Sequence, residues 1–386
     1  MAGSTLPTRE DEIVDAMADA LRDGVKLGIV SGGSKATIGA DVEARPLRLA
    51  GLTGVVDYDP AELVLTVRPG TPLAEIQALV AGAGQMLAFE PYDHGPIFGQ
   101  AAGMATIGGV IAAGVSGSQR ISALAARDHL LGFRAVSGRA EIFSAGAKVV
   151  KNVTGYDLPK LAAGSWGRLF AMTELTLKVL PRPREVVTQA VLGLDERQAV
   201  RAMSIAMGSQ ADVAAAAYVP APLRNGESAT ILRVQGFGPS VMARCAMLHT
   251  LLADFGKVRD LPAGEAAALW EDLRTLAPLG AADRTLWRIN IPPKQAGALV
   301  EAVDNAEGRF LLDWAGGLVW LASEVDPAVI RAAASRAGGH AVLVRASADM
   351  RAGIPAFHPL SAGLAALEER VRRAFDPAGL FETGRF

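Results

Sequence analysis

AAGMATIGGVIAAGVSGSQR, residues 101–120, holds five glycines and five alanines. Around it, from Gly95 to Gln119, no side chain carries a charge. A run this long and poor in bulky hydrophobes has three physical readings: a membrane span, a helix packed closely through its small residues, or backbone that lies against a ligand. The spacing Gly99-x-x-x-Gly103 suits close helix approach in a membrane. Against a span stand seven glycines, Pro96 and two glutamines between 95 and 119. They make transfer into hydrocarbon weakly favourable. Against a packed helix stands the cost of glycine in a helix interior, about 1 kcal/mol per position. The ligand reading fits best: Thr106, Gly108, Gly109, Ala112, Ala113, Gly114 and Ser116 clear side-chain bulk so that backbone approaches a flat or extended molecule.

Outward from this stretch, composition sets bounds. A chain of 386 residues is too long for one small core, which suggests two domains. Half the residues are hydrophobic, a fifth are charged, and the net charge is −2 with signs interspersed. That pattern gives no footprint for nucleic acid or anionic lipid. Cys245 is the single cysteine, so neither an internal disulfide nor an iron–sulfur cluster, which takes about four thiolates, is expected. Electrons handled by this chain must then leave to another molecule. The five histidines are scattered without metal-site spacing. The charged, amphipathic N-terminal stretch does not read as a secretory signal, and a cytoplasmic location is expected.

Along the chain, Thr8 is expected to cap a first helix with Asp11 in the capping-box position. VKLGIV (25–30) reads as a short buried strand running into SGGSK (31–35). TGVVDYD and ELVLTVRPG read as strands joined at Asp59-Pro60, and Thr71-Pro72 as the start of the next helix. TELTLKVL (173–180) alternates as a strand and is broken by Pro181-Arg-Pro183, the best domain boundary in the sequence. Alanine-rich helices alternate with strands beyond it. The tail is an amphipathic helix followed by turns.

SGGSK follows a strand, and its glycines let successive amides form an anion-binding nest. It is neither G-x-G-x-x-G nor a Walker A loop; a plain turn is the other reading. TGYDL (154–158), with Gly164-Ser165 before a strand, is a third such segment.

These three segments, in this order, resemble the flavoprotein superfamily of vanillyl-alcohol oxidase type, with its PCMH-type FAD-binding domain. The similarity extends through GVVDYDPAELVLTVRPGTPLAEIQ, ARDHLLGFR, KVLPRPR, TLWRI, LLDWAGGLVWL and FDPAGLF to the E-subunit family of bacterial glycolate oxidase (glycolate dehydrogenase). The resemblance implies an α+β fold. A two-subdomain FAD-binding domain (1–183, split near 91–100) would precede an α+β cap domain (184–338), and a helix and tail (339–386) would return to the FAD domain.

By the same resemblance, Ser31, Gly32, Gly33, Ser34 and Lys35 hold the FAD pyrophosphate, with Lys35 a solvated rim residue where the amides suffice. Pro91 starts the crossing between subdomains. Gly103, Thr106, Gly108, Gly109, Ala112 and Gly114 lie against the cofactor. Arg127 and Asp128 match an Arg-Asp pair near it. Neighbours in sequence do not face each other, so a mutual ion pair does not explain them. Gly164 and Phe170 pass near the adenine, and Arg385 approaches the flavin. Lys35 and Ala36 stand where several relatives place a flavin-linking histidine, so FAD is expected to be non-covalent. Histidine-rich metal motifs of 2-hydroxy-acid-oxidising relatives are missing from the sequence, and no metal is expected. Arg288, His340 and Lys151 are catalytic candidates by residue type alone.

The implied function is the FAD-binding subunit of a glycolate-oxidising complex. Its partners would be a homologous FAD-containing catalytic subunit and an iron–sulfur subunit, with any membrane association made through them. A stand-alone FAD-dependent dehydrogenase of another 2-hydroxy acid such as D-lactate, and a scaffold that no longer turns over, are the competing readings.

Overall fold

The computed structural model describes residues 6–147, 156–224, 226–280, 284–303 and 309–386. The fold is α+β and divides into two compact units. The first comprises residues 1–117, 124–182 and 359–386; the second comprises 118–123 and 183–358.

In the first unit, the helix Glu10–Asp23 buries Ile13, Met17 and Ala20 on one face, as their near-3.6 spacing dictates. They pack on Leu27 and Leu47, from the parallel strands Leu27–Val30 and Arg45–Arg48, and on Leu380 and Phe381 of the tail. The cap differs from expectation. Arg9 is the N-cap residue, and Glu12, not Asp11, accepts the Thr8 and Arg9 amides. A five-stranded antiparallel sheet follows the order Val55–Asp59, Val64–Val67, Phe170–Lys178, Leu130–Ser137, Ile142–Gly146.

Helix Leu73–Gly82 begins after Pro72 instead of being capped by Thr71. The Thr71 hydroxyl donates to the Arg68 carbonyl at 2.8 Å, and the Leu73 amide to the Ala105 carbonyl at 2.9 Å. Pairing with residues 105–107 satisfies the donors a cap would serve. The tail is anchored by the buried carboxylate of Asp376, which accepts the Leu380 and Phe381 amides at 2.7 and 2.8 Å.

The second unit is built on an eight-stranded antiparallel sheet, ordered Val258–Asp260, Glu185–Leu192, Ala229–Gly236, Ala215–Val219, Phe310–Asp313, Leu318–Ala322, Leu286–Asn290, His340–Arg345. Ala199, Met203 and Ala206 of one helix and Val241, Cys245 and Leu248 of another join the same core as Trp287 and Leu312. Residues 339–358 therefore sit with this unit and not with the tail, because His340–Arg345 forms its edge strand. The short helix Arg120–Ala123 at the end of the opening stretch belongs here too.

No helix among the described residues is long and apolar enough to cross a membrane. Within the opening stretch, Ile107–Ala113 is a helix of seven residues. Its packing follows the close-helix reading drawn from sequence on one side only. Ile107, Gly108, Val110 and Ile111 are buried, and Gly109, Ala112 and Ala113 are left on the more open side.

Candidate cofactor cleft

The first unit contains an open cleft. One wall is the end of strand Leu27–Val30 and the loop 31–36, and the other is helix Ile107–Ala113. Leu49, Pro69, Trp166, Gly167, Phe170, Met172 and the tail residues Arg385 and Phe386 complete the lining.

Thr106 holds the two walls together. Its hydroxyl donates to Ser31 Oγ at 2.7 Å and accepts the Gly32 amide at 3.4 Å and the Gly109 amide at 3.3 Å. The same side chain is thus helix cap and loop anchor. The walls approach closely because side chains are missing where they meet. A Cβ on Gly32 would lie 1.7 Å from the Met104 carbonyl oxygen, and one on Gly108 2.5 Å from Pro69 Cβ. Gly33 has φ +79° with open space beyond it, so the chain turns there through a left-handed conformation that favours glycine.

That turn leaves donors unused. Among the described residues, the amides of Gly33, Ser34 and Lys35 meet no acceptor. Backbone amides with no partner carry a cost unless water or a ligand satisfies them, and a run of them around a left-handed glycine is an anion nest. The amides at the start of helix Ile107–Ala113 are different. Ile107 donates to the Thr71 carbonyl, Gly108 to Pro69 and Gly109 to Thr106 Oγ1. The loop, not the helix terminus, presents the open donors.

Lys35 is half-buried, not a solvated rim residue. Burial pushes its ammonium down to about 8, opposed by the Asp93 carboxylate. Its Nζ lies 3.4 Å from the buried Ser34 hydroxyl. Arg385 reaches the loop from behind. Nε donates to the Ile38 carbonyl at 2.8 Å and Nη2 to Lys35 at 2.9 Å and to Ala36. Trp166, at φ 56°, packs against Phe386 with ring centroids 5.4 Å apart.

The cleft brings together Ser31, Gly32, Gly33, Ser34, Lys35, Thr106, Gly108, Gly109, Ala112, Phe170 and Arg385. The remaining residues anticipated for the site do not line it. Pro91 is buried, with its carbonyl accepting from Gln77. Gly103 gives its amide to Asp93 at 2.7 Å. Gly114 ends the helix at φ 65°, close against Gly164, whose amide goes to the Ile111 carbonyl. Asp128 caps the turn Ala126–His129 through the Ala125 amide. Arg127, although adjacent to Asp128, reaches its carboxylate at 3.9 Å with a largely exposed side chain. The mutual contact ruled out from adjacency is therefore present, because a long side chain can fold back.

Lys151, Thr154 and Gly155 lie outside the described residues. Arg288 and His340 lie in the second unit. Sequence reading missed Pro69, Trp166 and Gly167. The GSWG run was the available signal, since a tryptophan between glycines marks an unusual turn.

A family model described as "FAD binding domain" matches residues 2–146. Over 380 residues, covering 97% of this chain and 96% of that one, the sequence is 34% identical to glycolate oxidase subunit GlcE of Escherichia coli (strain K12). It is 29% identical over 183 residues to glycolate oxidase subunit GlcD of Bacillus subtilis (strain 168), covering 47% of this chain and 36% of that protein. The fold matches a substrate-bound structure of p-cresol methylhydroxylase with a TM-score of 0.73 at 12% identity, over 99% of this chain and 88% of that one.

Proposed function

The chain belongs to the family of glycolate oxidase subunit GlcE, and from that premise we propose that it is the FAD-bearing subunit of a heteromeric complex that oxidises glycolate to glyoxylate. It is an FAD-dependent oxidoreductase subunit with a PCMH-type FAD-binding domain.

The cleft fits that cofactor by the chemistry of its donors. The observation that carries the reading is the set of open amides at Gly33, Ser34 and Lys35, facing a cleft in which Gly108, Gly109, Ala112 and Ala113 keep the helix wall free of bulk. Those amides would hold the pyrophosphate, with the half-buried Lys35 ammonium as counter-charge. Gly109 and Ala112 would let the extended dinucleotide lie along the helix. Arg385 would act behind the loop by fixing its carbonyls. FAD held there would supply a two-electron acceptor to the complex.

The ionisable side chains lining the cleft are Lys35 and Arg385. Arg385 is committed to three carbonyls, and among the described residues that line the cleft there is no carboxylate or histidine to act as a base. Cys245 is the single cysteine and is buried, so the chain has no cluster of its own to carry electrons onward. Both facts support a subunit that works beside a second flavoprotein and an iron–sulfur partner, with non-covalent FAD and any membrane-face association arising through the complex.

Purification alone and after co-expression with the two partner subunits tests this. The isolated chain should be yellow, release all its flavin on acid precipitation, and oxidise glycolate only in the complex. A colourless, folded chain, flavin that stays with the precipitate, or full activity in isolation would each defeat part of the proposal.

A further inference from the structure

PYDHG (91–95) contributes no residue to the lining of the cleft, yet its aspartate is tied to that lining twice. An aspartate two residues before a glycine commonly accepts the amide of that glycine and closes a turn. Asp93 does so through Oδ1, with the Gly95 amide at 2.8 Å. Its second oxygen reaches ten positions along the chain. Oδ2 accepts the Gly103 amide at 2.7 Å and the Met104 amide at 3.1 Å. The turn needs only the first of these bonds. The other two fix a corner of backbone where Gly103 bends the chain at φ 101°.

The loop 31–35 rests on that corner. A Cβ on Gly32 would fall 1.7 Å from the Met104 carbonyl oxygen and 3.1 Å from Thr106 Cγ2, so the loop backbone lies directly on residues 104–106. The Gly32 amide goes to Thr106 Oγ1 at 3.4 Å. The next three amides, of Gly33, Ser34 and Lys35, are the open ones. Where they point therefore follows from where the 103–106 backbone stands. Thr106 holds one end of it and Asp93 the other. Residues 101–104 are exposed, so packing does little to fix the corner. Two charge-assisted bonds from one carboxylate do so instead.

The same carboxylate acts on the lysine of the loop. Burial lowers the Lys35 ammonium to about 8, and the Asp93 charge opposes that shift. Arg385, the other cation at the loop, has its guanidinium on the carbonyls of Lys35, Ala36 and Ile38. Without Asp93, Lys35 would give up its proton at a lower pH.

We propose that Asp93 is a positioning residue for a diphosphate bound at the loop: it sets the Gly103–Met104 corner on which Gly32 and the open amides lie, and it holds the Lys35 ammonium ready for the same anion. Naming that diphosphate as part of FAD rests on the FAD-subunit reading; the three amide bonds and the contact at Gly32 do not.

The test is titration of the full-length chain, stripped of flavin, with FAD and with inorganic pyrophosphate between about pH 6 and 10, read by flavin fluorescence and calorimetry. Asp93→Asn should raise both Kd values about tenfold or more at neutral pH. It should also move the onset of weaker binding, set by Lys35 at about 8 in the wild-type chain, down by about one pH unit. Asp93→Glu keeps the charge but displaces the oxygens. It should weaken FAD with the onset left in place, and it decides the matter alone should Asp93→Asn not fold. In a Lys35→Met background, Asp93→Asn should still weaken FAD but no longer alter the pH profile. Asp59→Asn, which removes a carboxylate serving two amides of an exposed turn, should change neither. Wild-type affinity in the Asp93 variants overturns the proposal, and so does an Asp93→Asn chain whose melting temperature falls while its pH onset stays. Pyrophosphate binding that depends on Asp93 in a chain that takes no FAD upholds the proposal and removes only the cofactor reading. A chain that takes neither ligand overturns both.

Discussion

Arg385 and Lys35 lie 350 positions apart, yet the Arg385 guanidinium donates to the Lys35 carbonyl at 2.9 Å. With the bonds to Ala36 and Ile38 it holds three carbonyls of one loop on the side of the tail. The Arg385 carbonyl in turn accepts the Ala40 amide at 3.0 Å and sits so close to Gly39 that a Cβ there would fall 2.4 Å from it. The tail thus braces the loop proposed to hold pyrophosphate.

Arg385→Ala should therefore weaken FAD without removing a required contact. Hydrogen bonds to a charged donor contribute about 1.5–3 kcal/mol, and losing part of that in loop order corresponds to roughly a tenfold rise in Kd, read by flavin fluorescence quenching. Arg385→Lys, a point charge without the fork, should recover only part of the affinity. Wild-type affinity in Arg385→Ala would show that the brace has no bearing on binding.

Gly108 and Gly109 are adjacent but should fail differently. A side chain at 108 meets Pro69 at 2.5 Å, so Gly108→Val should lower stability by about 1–3 kcal/mol through overpacking, with or without flavin. A Cβ at 109 meets only the Thr106 hydroxyl, at 3.3 Å. Gly109→Val should leave the melting temperature of the flavin-free chain nearly unchanged and abolish the yellow colour. A yellow Gly109→Val protein would displace the cofactor from this wall of the cleft.

Thr106→Val removes a helix cap and the link to Ser31 in one step while nearly preserving shape. The expected cost is about 1 kcal/mol of stability, together with weaker flavin binding. Thr106→Ser keeps the hydroxyl and should behave close to wild type in thermal melts and flavin titration.

Lys35 makes flavin binding sensitive to pH. In the flavin-free chain burial lowers its ammonium to about 8, whereas an unfolded lysine keeps its ordinary 10.5. The folded state therefore bears the cost of a desolvated charge below pH 8, and stability should rise with pH between those two values. A diphosphate against the ammonium favours the protonated form. FAD affinity should accordingly fall above pH 8, by up to about tenfold per pH unit for one coupled proton. Lys35→Met should flatten that profile; a profile unchanged by the substitution would separate Lys35 from the phosphates.

Much of this is legible in the sequence alone. The strand running into SGGSK, the breaker at Pro181-Arg-Pro183 and the amphipathic helix near the end follow from local periodicity and turn chemistry, which a linear sequence carries in full. Helix starts were less legible. Thr71 reads as a cap, but the Leu73 amide is taken by Ala105, a partner remote in sequence. Gly103 and Gly114 look like Gly108 on paper. In space one serves Asp93 and the other ends a helix against Gly164.

Composition alone dictates that the run from Gly95 to Gln119 is uncharged and rich in glycine and alanine, and that something must come close to it. What comes close at each residue was settled only by tertiary structure. Pro69 abuts Gly108, open cleft faces Gly109, and Arg120, already a residue of the second unit, stacks on Trp314 of that same unit. The reason is physical. A missing side chain permits contact on every side equally, and which side is filled depends on residues the chain brings back from far away.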